Sequence, residues 1–208
     1  MIRLQQPQDL PTILHLAREA FWNLYFPGTD IHCVVNKLQS SPDSIPELNF
    51  VITVDGKVQG AIFYTKAKVV SDEGTTDVIS FGPVFINPDM HRKGLGRQLI
   101  THSIEQAKKL GYAAIMTLGY PHHYEPYGFV GGKKYHISMP DGVFYKGLLV
   151  LPLFDGALDN VSGHAIFSDA LECTPAEIEN FDKLFPPKVK LVTPSQQEYE
   201  VACAQIDN

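Results

Sequence analysis

Residues 81–100, which read FGPVFINPDMHRKGLGRQLI, constrain the fold of this chain more than any other segment. Their order predicts a buried strand, a short Pro-Asp turn and a glycine-rich basic loop that opens directly into a helix. Gly94 and Gly96 allow the backbone to curl with its N–H groups facing inward, and the positive end of the helix dipole adds to the same position. The segment therefore predicts an anion-binding site at the start of a helix.

The charges around this loop favour a polyanion, most simply a pyrophosphate. Arg92, Lys93 and Arg97 lie beside the two glycines in a chain whose formal net charge is -6. The loop is not a P-loop, because no Lys-Ser or Lys-Thr follows its last glycine. A dinucleotide-binding fingerprint also fails, because Leu99 stands where that pattern requires a third glycine.

A second informative block follows one helix later. Residues 113–118, AAIMTL, form a short apolar run that predicts a buried strand. The next residues read GYPHHYEPYGF, in which Tyr124 stands four positions before Gly128 and Phe129 completes the block. The strand and the tyrosine-bearing turn thus come in a fixed order after the anion-binding loop.

Together the two blocks resemble the GNAT superfamily of N-acetyltransferases, over most of residues 1–150. Members of that family carry an acyl-CoA loop, Q/R-x-x-G-x-G/A, between the fourth strand and the third helix, and a tyrosine followed by Gly-Phe after the fifth strand. His91 stands here in place of the Gln or Arg, which leaves the backbone donors of the loop unaffected. The resemblance implies a mixed α/β fold, with a twisted, mainly antiparallel sheet flanked by helices.

The resemblance also implies an enzyme of the acyltransferase class that uses acetyl-CoA as co-substrate. We expect a primary amine of a small molecule to attack the thioester directly in a ternary complex. Two alternatives remain open. One is an acetyltransferase that acts on protein or peptide amines, and the other is a non-catalytic sensor that binds acyl-CoA.

The family's motifs imply roles for particular residues. Tyr124 occupies the tyrosine position and is expected to protonate the departing thiolate as a general acid. The strand before the loop is expected to splay from the strand at 115–118, so that its unpaired backbone groups bind the pantetheine amides and the acyl oxygen. Gly82 and Pro83 fit such a disturbance, because proline cannot donate to a central ladder and glycine often marks a bulge. Cofactor contacts are thus expected from Val84, Phe85, Ile86, His91, Arg92, Lys93, Gly94, Leu95, Gly96 and Arg97.

The candidate substrate residues are Tyr25, His32 and His123. GNAT enzymes commonly build the acceptor pocket on the connection between the first two helices, where Tyr25 and His32 lie. Several groups remain open as the general base, each acting directly or through water: His32, His122, His123 and the acidic pair Asp72-Glu73. No metal is expected, because adjacent histidines on a helical turn point to different faces and no third ligand is evident.

The family pattern ends near residue 151, so the sequence predicts a GNAT domain over residues 1–151 and a C-terminal extension over residues 152–208. Thr174 and Thr193, each followed by Pro and then by Glu or Gln at the third helical position, predict two helix starts in this helical extension. We expect it to pack on the domain, either near the substrate entrance or as a structural brace. Before it, residues 134–138 and 147–151 predict two strands.

The composition indicates which partners and which cellular compartment are expected. Hydrophobic content of 44% and charged content of 19% are typical of a soluble globular protein, and no apolar run predicts a membrane span. A sequence pI near 5.7 argues against nucleic acid as a partner. Cys33, Cys173 and Cys203 show no C-x-x-C spacing, which favours a reducing cytoplasm over a disulfide framework or a zinc site. Dimers are frequent in the family, which makes a homodimer one expected assembly.

Overall fold

The computed structural model describes all residues from Met1 to Asn208. Nine strands are joined by α-helices and short 3-10 turns. The strands are β1 (Ile2–Leu4), β2 (Phe50–Val54), β3 (Lys57–Ser71), β4 (Gly74–Ile86), β5 (Ala114–Leu118), β6 (Val130–Gly131), β7 (Ile137–Ser138), β8 (Leu148–Pro152) and β9 (Gly163–Ile166). The helices are α1 (Leu10–Phe21), α2 (Ile31–Leu38), α3 (Leu95–Lys109), α4 (Pro121–Tyr124), α5 (Pro175–Asp182) and α6 (Pro194–Cys203). None of these helices has the length and apolar character that crossing a bilayer requires.

All nine strands belong to one sheet. Its main order is β1-β2-β3-β4-β5-β8-β6, and β9 lies beside β3 and β7. Neighbouring strands run antiparallel, except for the parallel pairs β4–β5 and β7–β9. This architecture confirms the predicted mixed α/β fold with a mainly antiparallel sheet.

The sheet is covered on both faces, which explains the unbroken buried run Ala61–Tyr64 in the middle of β3. Ala61 and Phe63 of β3 pack in a cluster with α1 and α2. The intervening Ile62 and Tyr64 pack in a second cluster with α3. Successive strand residues point to opposite faces, so this alternation places α3 on one side of the sheet and the first two helices on the other.

The C-terminal extension takes part in the sheet as well as packing against it. β9 pairs with the second half of β3, with Lys68 opposite Ile166. This strand was not predicted from the sequence, which indicated only helices in the extension. Both extension helices begin at the predicted prolines, and Thr174 forms the predicted capping box with Glu177. The hydroxyl of Thr193 instead donates to the backbone oxygen of Asn23, 2.8 Å away, and ties α6 to the end of the first helix.

One strand prediction needs correction. Residues 134–138 were expected to form a strand, but Gly132–Tyr135 is a 3-10 turn and only Ile137–Ser138 is extended. A side chain at Gly132 would come within 2.6 Å of the Ile137 backbone oxygen, so this glycine allows the chain to fold back tightly. The predicted strand at 147–151 is confirmed as β8.

Candidate active site

The loop before α3 presents a run of free backbone donors. Arg92 and Gly94 have left-handed φ angles of 60° and 77°, and this backbone curls into the start of the helix. None of the six N–H groups from Arg92 to Arg97 donates to a backbone or side-chain acceptor of the protein. The arrangement forms a concave anion site at the positive end of a 15-residue helix. These amides are thus free to bind an anion, as expected from the sequence, and their convergence on one stays a prediction.

The side chains around the loop leave two arginines available to an anion. Arg92 and Arg97 are exposed, line the adjoining cleft and take part in no ion pair within the protein. Lys93 does not line the cleft, and its ammonium contacts the sulfur of Met90 at 3.3 Å. The ring nitrogen Nε2 of His91 lies 3.0 Å from the backbone oxygen of Ile86, so this histidine ties the loop to the end of β4.

Strands β4 and β5 separate at the predicted place. They pair only at Ile79–Ile115 and Ser80–Met116. Immediately beyond, the hydroxyl of Thr117 donates to the backbone oxygen of Phe81 at 3.1 Å, where a side chain replaces the next main-chain bond. The two strands then diverge, and β4 keeps a main-chain partner only on its β3 side.

The divergence coincides with a bulge and exposes backbone groups of β4. Register between β3 and β4 shifts opposite Gly82 and Pro83, which confirms the predicted disturbance. Past the bulge, the N–H of Asn87 donates to the backbone oxygen of Gln59. Because alternate residues of an antiparallel strand turn their backbone groups to opposite sides, Val84 and Ile86 direct theirs into the gap.

Tyr124 stands at the inner end of this gap. Its ring packs edge-on against Phe81 and Phe129, with centroids 5.4 and 5.9 Å away. A side chain at Gly119 would come within 2.5 Å of the Tyr124 ring, so the glycine is required for this position. The phenol has no hydrogen-bond partner within the protein, and burial raises its pKa above the ordinary value. It therefore keeps its proton at neutral pH.

A cleft of about 690 Å³ joins these features. It runs from the free amides along the gap between β4 and β5 to Tyr124, and the first helix closes its far side. The predicted site residues that line it are Val84, Phe85, Ile86, His91, Arg92, Gly94, Leu95, Gly96, Arg97, Tyr25, His123 and Tyr124. The side chain of Phe85 is buried in the core below the first two helices and packs edge-on against Phe21, which also lines the cleft.

His32 does not line this cleft, and its expected substrate role is corrected. The side chain is fully buried between Phe181 and Phe185 of the extension, with ring centroids 5.4 and 5.0 Å away. Its Nε2 lies 3.3 Å from Asp182, yet desolvation dominates and lowers the pKa of His32 to about 4. The extension covers this histidine, so it has no access to an acceptor.

Of the remaining candidates for the general base, only one lines the cleft. His123 is exposed and lines the cleft, and desolvation together with neighbouring His122 lowers its pKa, which favours the neutral ring. His122 lies outside the cleft, in an adjacent cavity. Asp72 and Glu73 form the exposed turn between β3 and β4 and do not line the cleft.

Sequence reasoning missed three residues of the site. Thr117 acts through its hydroxyl bond to Phe81 at the strand gap, and Gly119 acts because it has no side chain. Neither role leaves a local pattern in the sequence. Tyr199 of α6 stacks on Tyr25 with ring centroids 4.2 Å apart. That contact joins the extension to the end of the first helix, which only the tertiary structure reveals.

Comparisons with other proteins support one family. The model of the acetyltransferase (GNAT) family matches residues 14–152. The chain is 27% identical over 165 residues to the uncharacterized N-acetyltransferase YhbS of Escherichia coli K12, covering 78% of this chain and 93% of YhbS. The crystal structure of E. coli YhbS in complex with CoA is similar at a TM-score of 0.72 and 25% identity, covering 82% of this chain and 90% of that chain.

Two further proteins share parts of this likeness. The [ribosomal protein bS18]-alanine N-acetyltransferase of E. coli K12 is 32% identical over 107 residues, 51% of this chain and 61% of that protein. A GNAT family acetyltransferase from Brucella melitensis, solved with acetyl-CoA, shares the fold at a TM-score of 0.66 and 21% identity, covering 83% of this chain and 97% of that chain. Because the family model covers more than half of the chain and the fold agrees, this chain belongs to the GNAT family of N-acetyltransferases.

Proposed function

We propose that this protein transfers an acetyl group from acetyl-CoA to a primary amine of a small molecule, by direct attack in a ternary complex. One observation carries the proposal. The loop of six consecutive free amides, five of whose residues line the cleft, shares one continuous cleft with the opened edge of β4 and a protonated tyrosine. These are the parts that acyl transfer from a thioester requires.

The position of acetyl-CoA in the cleft is assigned starting from its diphosphate. The amides from Arg92 to Arg97 bind the diphosphate, with the guanidinium groups of Arg92 and Arg97 beside it. The pantetheine arm then lies in the gap between β4 and β5, and the backbone N–H of Val84 or Ile86 donates to the thioester oxygen. The CoA complex of E. coli YhbS and the acetyl-CoA complex of the Brucella protein support this choice of cofactor.

The reaction follows from the groups at the inner end of the cleft. The neutral amine attacks the thioester carbonyl, the negative charge on oxygen is stabilised by a β4 amide, and the C–S bond breaks as the carbonyl re-forms. The departing thiolate takes the phenolic proton of Tyr124, which burial has kept in place. The proton lost by the amine passes to His123, directly or through water. No cysteine lines this cleft, which supports direct transfer over an acyl-enzyme.

A protein or peptide amine is the second candidate acceptor. The relative that acts on an alanine of ribosomal protein bS18 favours it. The small-molecule assignment rests on the adjoining cavity, which α6 closes on one side, whereas a peptide acceptor would need an open groove. The predicted homodimer, cytoplasmic location and boundary at residue 151 stay predictions.

Release of free thiol from acetyl-CoA tests the function. The purified chain is incubated with acetyl-CoA and a panel of small primary amines, alongside peptides with a free N-terminal alanine. We expect amine-dependent thiol release with small amines. Release with the peptides alone would favour the second candidate. CoA binding without release for any acceptor would instead support the sensor and contradict an enzyme.

A further inference from the structure

A second cavity of about 770 Å³ adjoins the inner end of the cofactor cleft. Tyr25 and Leu118 line both spaces, so a molecule in the second cavity lies next to the end of the gap where the thioester is assigned. Leu118 is about half exposed (53%) and places an apolar side chain where the two spaces meet. The volume lies within the range of small-molecule sites.

Helix α6 forms one wall of this cavity and is fixed at both ends. At its start, the hydroxyl of Ser195 donates to the backbone oxygen of Leu24 at 2.8 Å. Beyond its end, the N–H of Lys146 donates to the backbone oxygen of Gln205 at 2.9 Å, and the N–H of Asp207 donates to that of Phe144 at 2.7 Å. The helix thus spans from the first helix to the loop before β8 and encloses the space between them.

The lining combines phenol rings with unpaired carboxylates. Tyr25, Tyr120, Tyr145 and Tyr199 supply aromatic faces. Asp141 accepts hydrogen bonds from the Tyr145 hydroxyl at 2.8 Å and from the Val143 N–H at 2.9 Å, which fix its position.

The titratable side chains that line the cavity, apart from its tyrosines and Cys203, are two carboxylates, one ammonium group and the imidazole of His122. Asp141 and Glu198 line the cavity, and neither is within ion-pair distance of a basic side chain. Lys146 is the only lysine or arginine among the lining residues. Aromatic faces with excess carboxylate favour a cation that carries an apolar body, and they disfavour a ligand with a carboxylate of its own.

We propose that α6 builds the acceptor pocket, with Tyr199 and Glu198 selecting a compact primary amine of net positive charge and apolar body. This inference rests on the proposed acetyl transfer. On this inference the C-terminal extension determines which acceptor is chosen. The extension lies largely beyond the residues that the family model matches. The ring of Tyr199 packs on the apolar body, and the carboxylate of Glu198 attracts the charge.

The test compares acceptors and α6 variants by steady-state kinetics. Phenethylamine, a monocation with an aromatic body, is compared with phenylalanine, which adds a carboxylate to the same body. We expect phenethylamine to have at least about a tenfold higher kcat/KM, because the added carboxylate meets Asp141 and Glu198. Tyr199→Ala should raise KM for phenethylamine about tenfold, whereas Tyr199→Phe retains the aromatic face and stays near wild type.

The charge is tested on the same helix. Glu198→Gln should raise KM for phenethylamine by up to about fivefold, as expected for an exposed charge. Glu200→Gln removes the same charge from a residue that lines a different groove and should leave KM unchanged. In every variant KM for acetyl-CoA should stay at the wild-type value, which also shows that the chain is folded.

Unchanged acceptor KM in both Tyr199→Ala and Glu198→Gln, or an equal preference for phenylalanine, would overturn the inference while acetyl transfer stands. Absence of thiol release from the wild-type chain with every amine would instead overturn the proposed function itself. A rise in KM for acetyl-CoA equal to that for the amine would also contradict the inference, because the damage would then not be confined to the acceptor pocket.

Discussion

Burial holds the phenol of Tyr124, the proposed proton donor, in its protonated form. Packing against Phe81 and Phe129 removes most of its ring from water, and desolvation raises its pKa above the ordinary value of about 10. The phenol therefore stays protonated throughout the pH range of an ordinary assay. The raised pKa also makes the phenol a weaker acid than the departing thiol, whose ordinary pKa is about 8.5, so the proton transfer needs a hydrogen bond from bound substrate or water to assist it.

Replacing Tyr124 by Phe should lower kcat about a hundredfold, because general acid catalysis typically contributes at least that much. The affinity for CoA should change little, since the diphosphate site lies at the other end of the cleft. Tyr112→Phe, which removes a half-buried phenol outside the cleft, provides the matched control and should retain wild-type kcat. Stopped-time assays of thiol release and calorimetric titration with CoA measure the two quantities. Wild-type kcat in Tyr124→Phe would remove the tyrosine from the mechanism.

His32 makes a different prediction, about stability. The unfolded histidine binds a proton below a pH of about 6.5, whereas folded His32 binds one only near its lowered pKa of about 4. The free energy of unfolding should therefore be highest above a pH of about 6.5 and fall as the pH drops from there to about 4. The loss should be on the order of 3 kcal/mol.

His32→Phe, which suits the surrounding Phe181 and Phe185, removes this titration. Urea unfolding between pH 7 and 4 should give a steeper fall in stability for wild type than for the variant. Parallel curves for the two proteins would contradict the burial of a neutral histidine beneath the extension.

At the scale of elements, the junction from β4 to α3 forms the proposed anion site. Gly94, at a φ of 77°, precedes the first helical residue and lets the free amides turn inward. A β-branched residue in this conformation is strained by about 1–2 kcal/mol, which the loop can relieve only by changing its backbone. The site is therefore a property of main-chain geometry more than of any basic side chain.

Gly94→Val should weaken CoA binding by at least about tenfold, since the strain forces the amides out of convergence. Gly56→Val is the matched control: Gly56 has a φ of 74°, with open space around its Cβ position, and lies in the turn between β2 and β3. Both variants should lose similar stability in thermal melts. Equal CoA affinity in the two variants would show that the curl at Gly94 is not needed.

The elements also show which features can be predicted from sequence. The loop, the following helix and the Gly82-Pro83 bulge are local, because glycine, proline and helical periodicity act within a few residues. The burial of His32 is not local, since Phe181 and Phe185 cover it from far along the chain. Short β9 carries too few residues for a periodic signal, and the role of Tyr199 depends on a stack with Tyr25.

At the scale of the whole molecule, the C-terminal extension is joined to the family domain at separate places. β9 lengthens the sheet beside β3, and the carboxylate of Asp182 accepts from buried Arg18 at 2.8 Å. Trp22, the only tryptophan, donates its indole N–H to the backbone oxygen of Val189 at 2.9 Å. The extension thus contributes both to the core and to the wall of the proposed acceptor cavity, so its removal should affect folding and, on that proposal, specificity together.

A crystal structure with acetyl-CoA bound would show whether the amides before α3 hold the cofactor. We expect diphosphate oxygens about 2.7–3.2 Å from several backbone nitrogens between Arg92 and Arg97, with the thioester reaching the gap near Val84 and Tyr124. A diphosphate held elsewhere, or bound by arginine side chains while those nitrogens stay unpaired, would contradict this expectation.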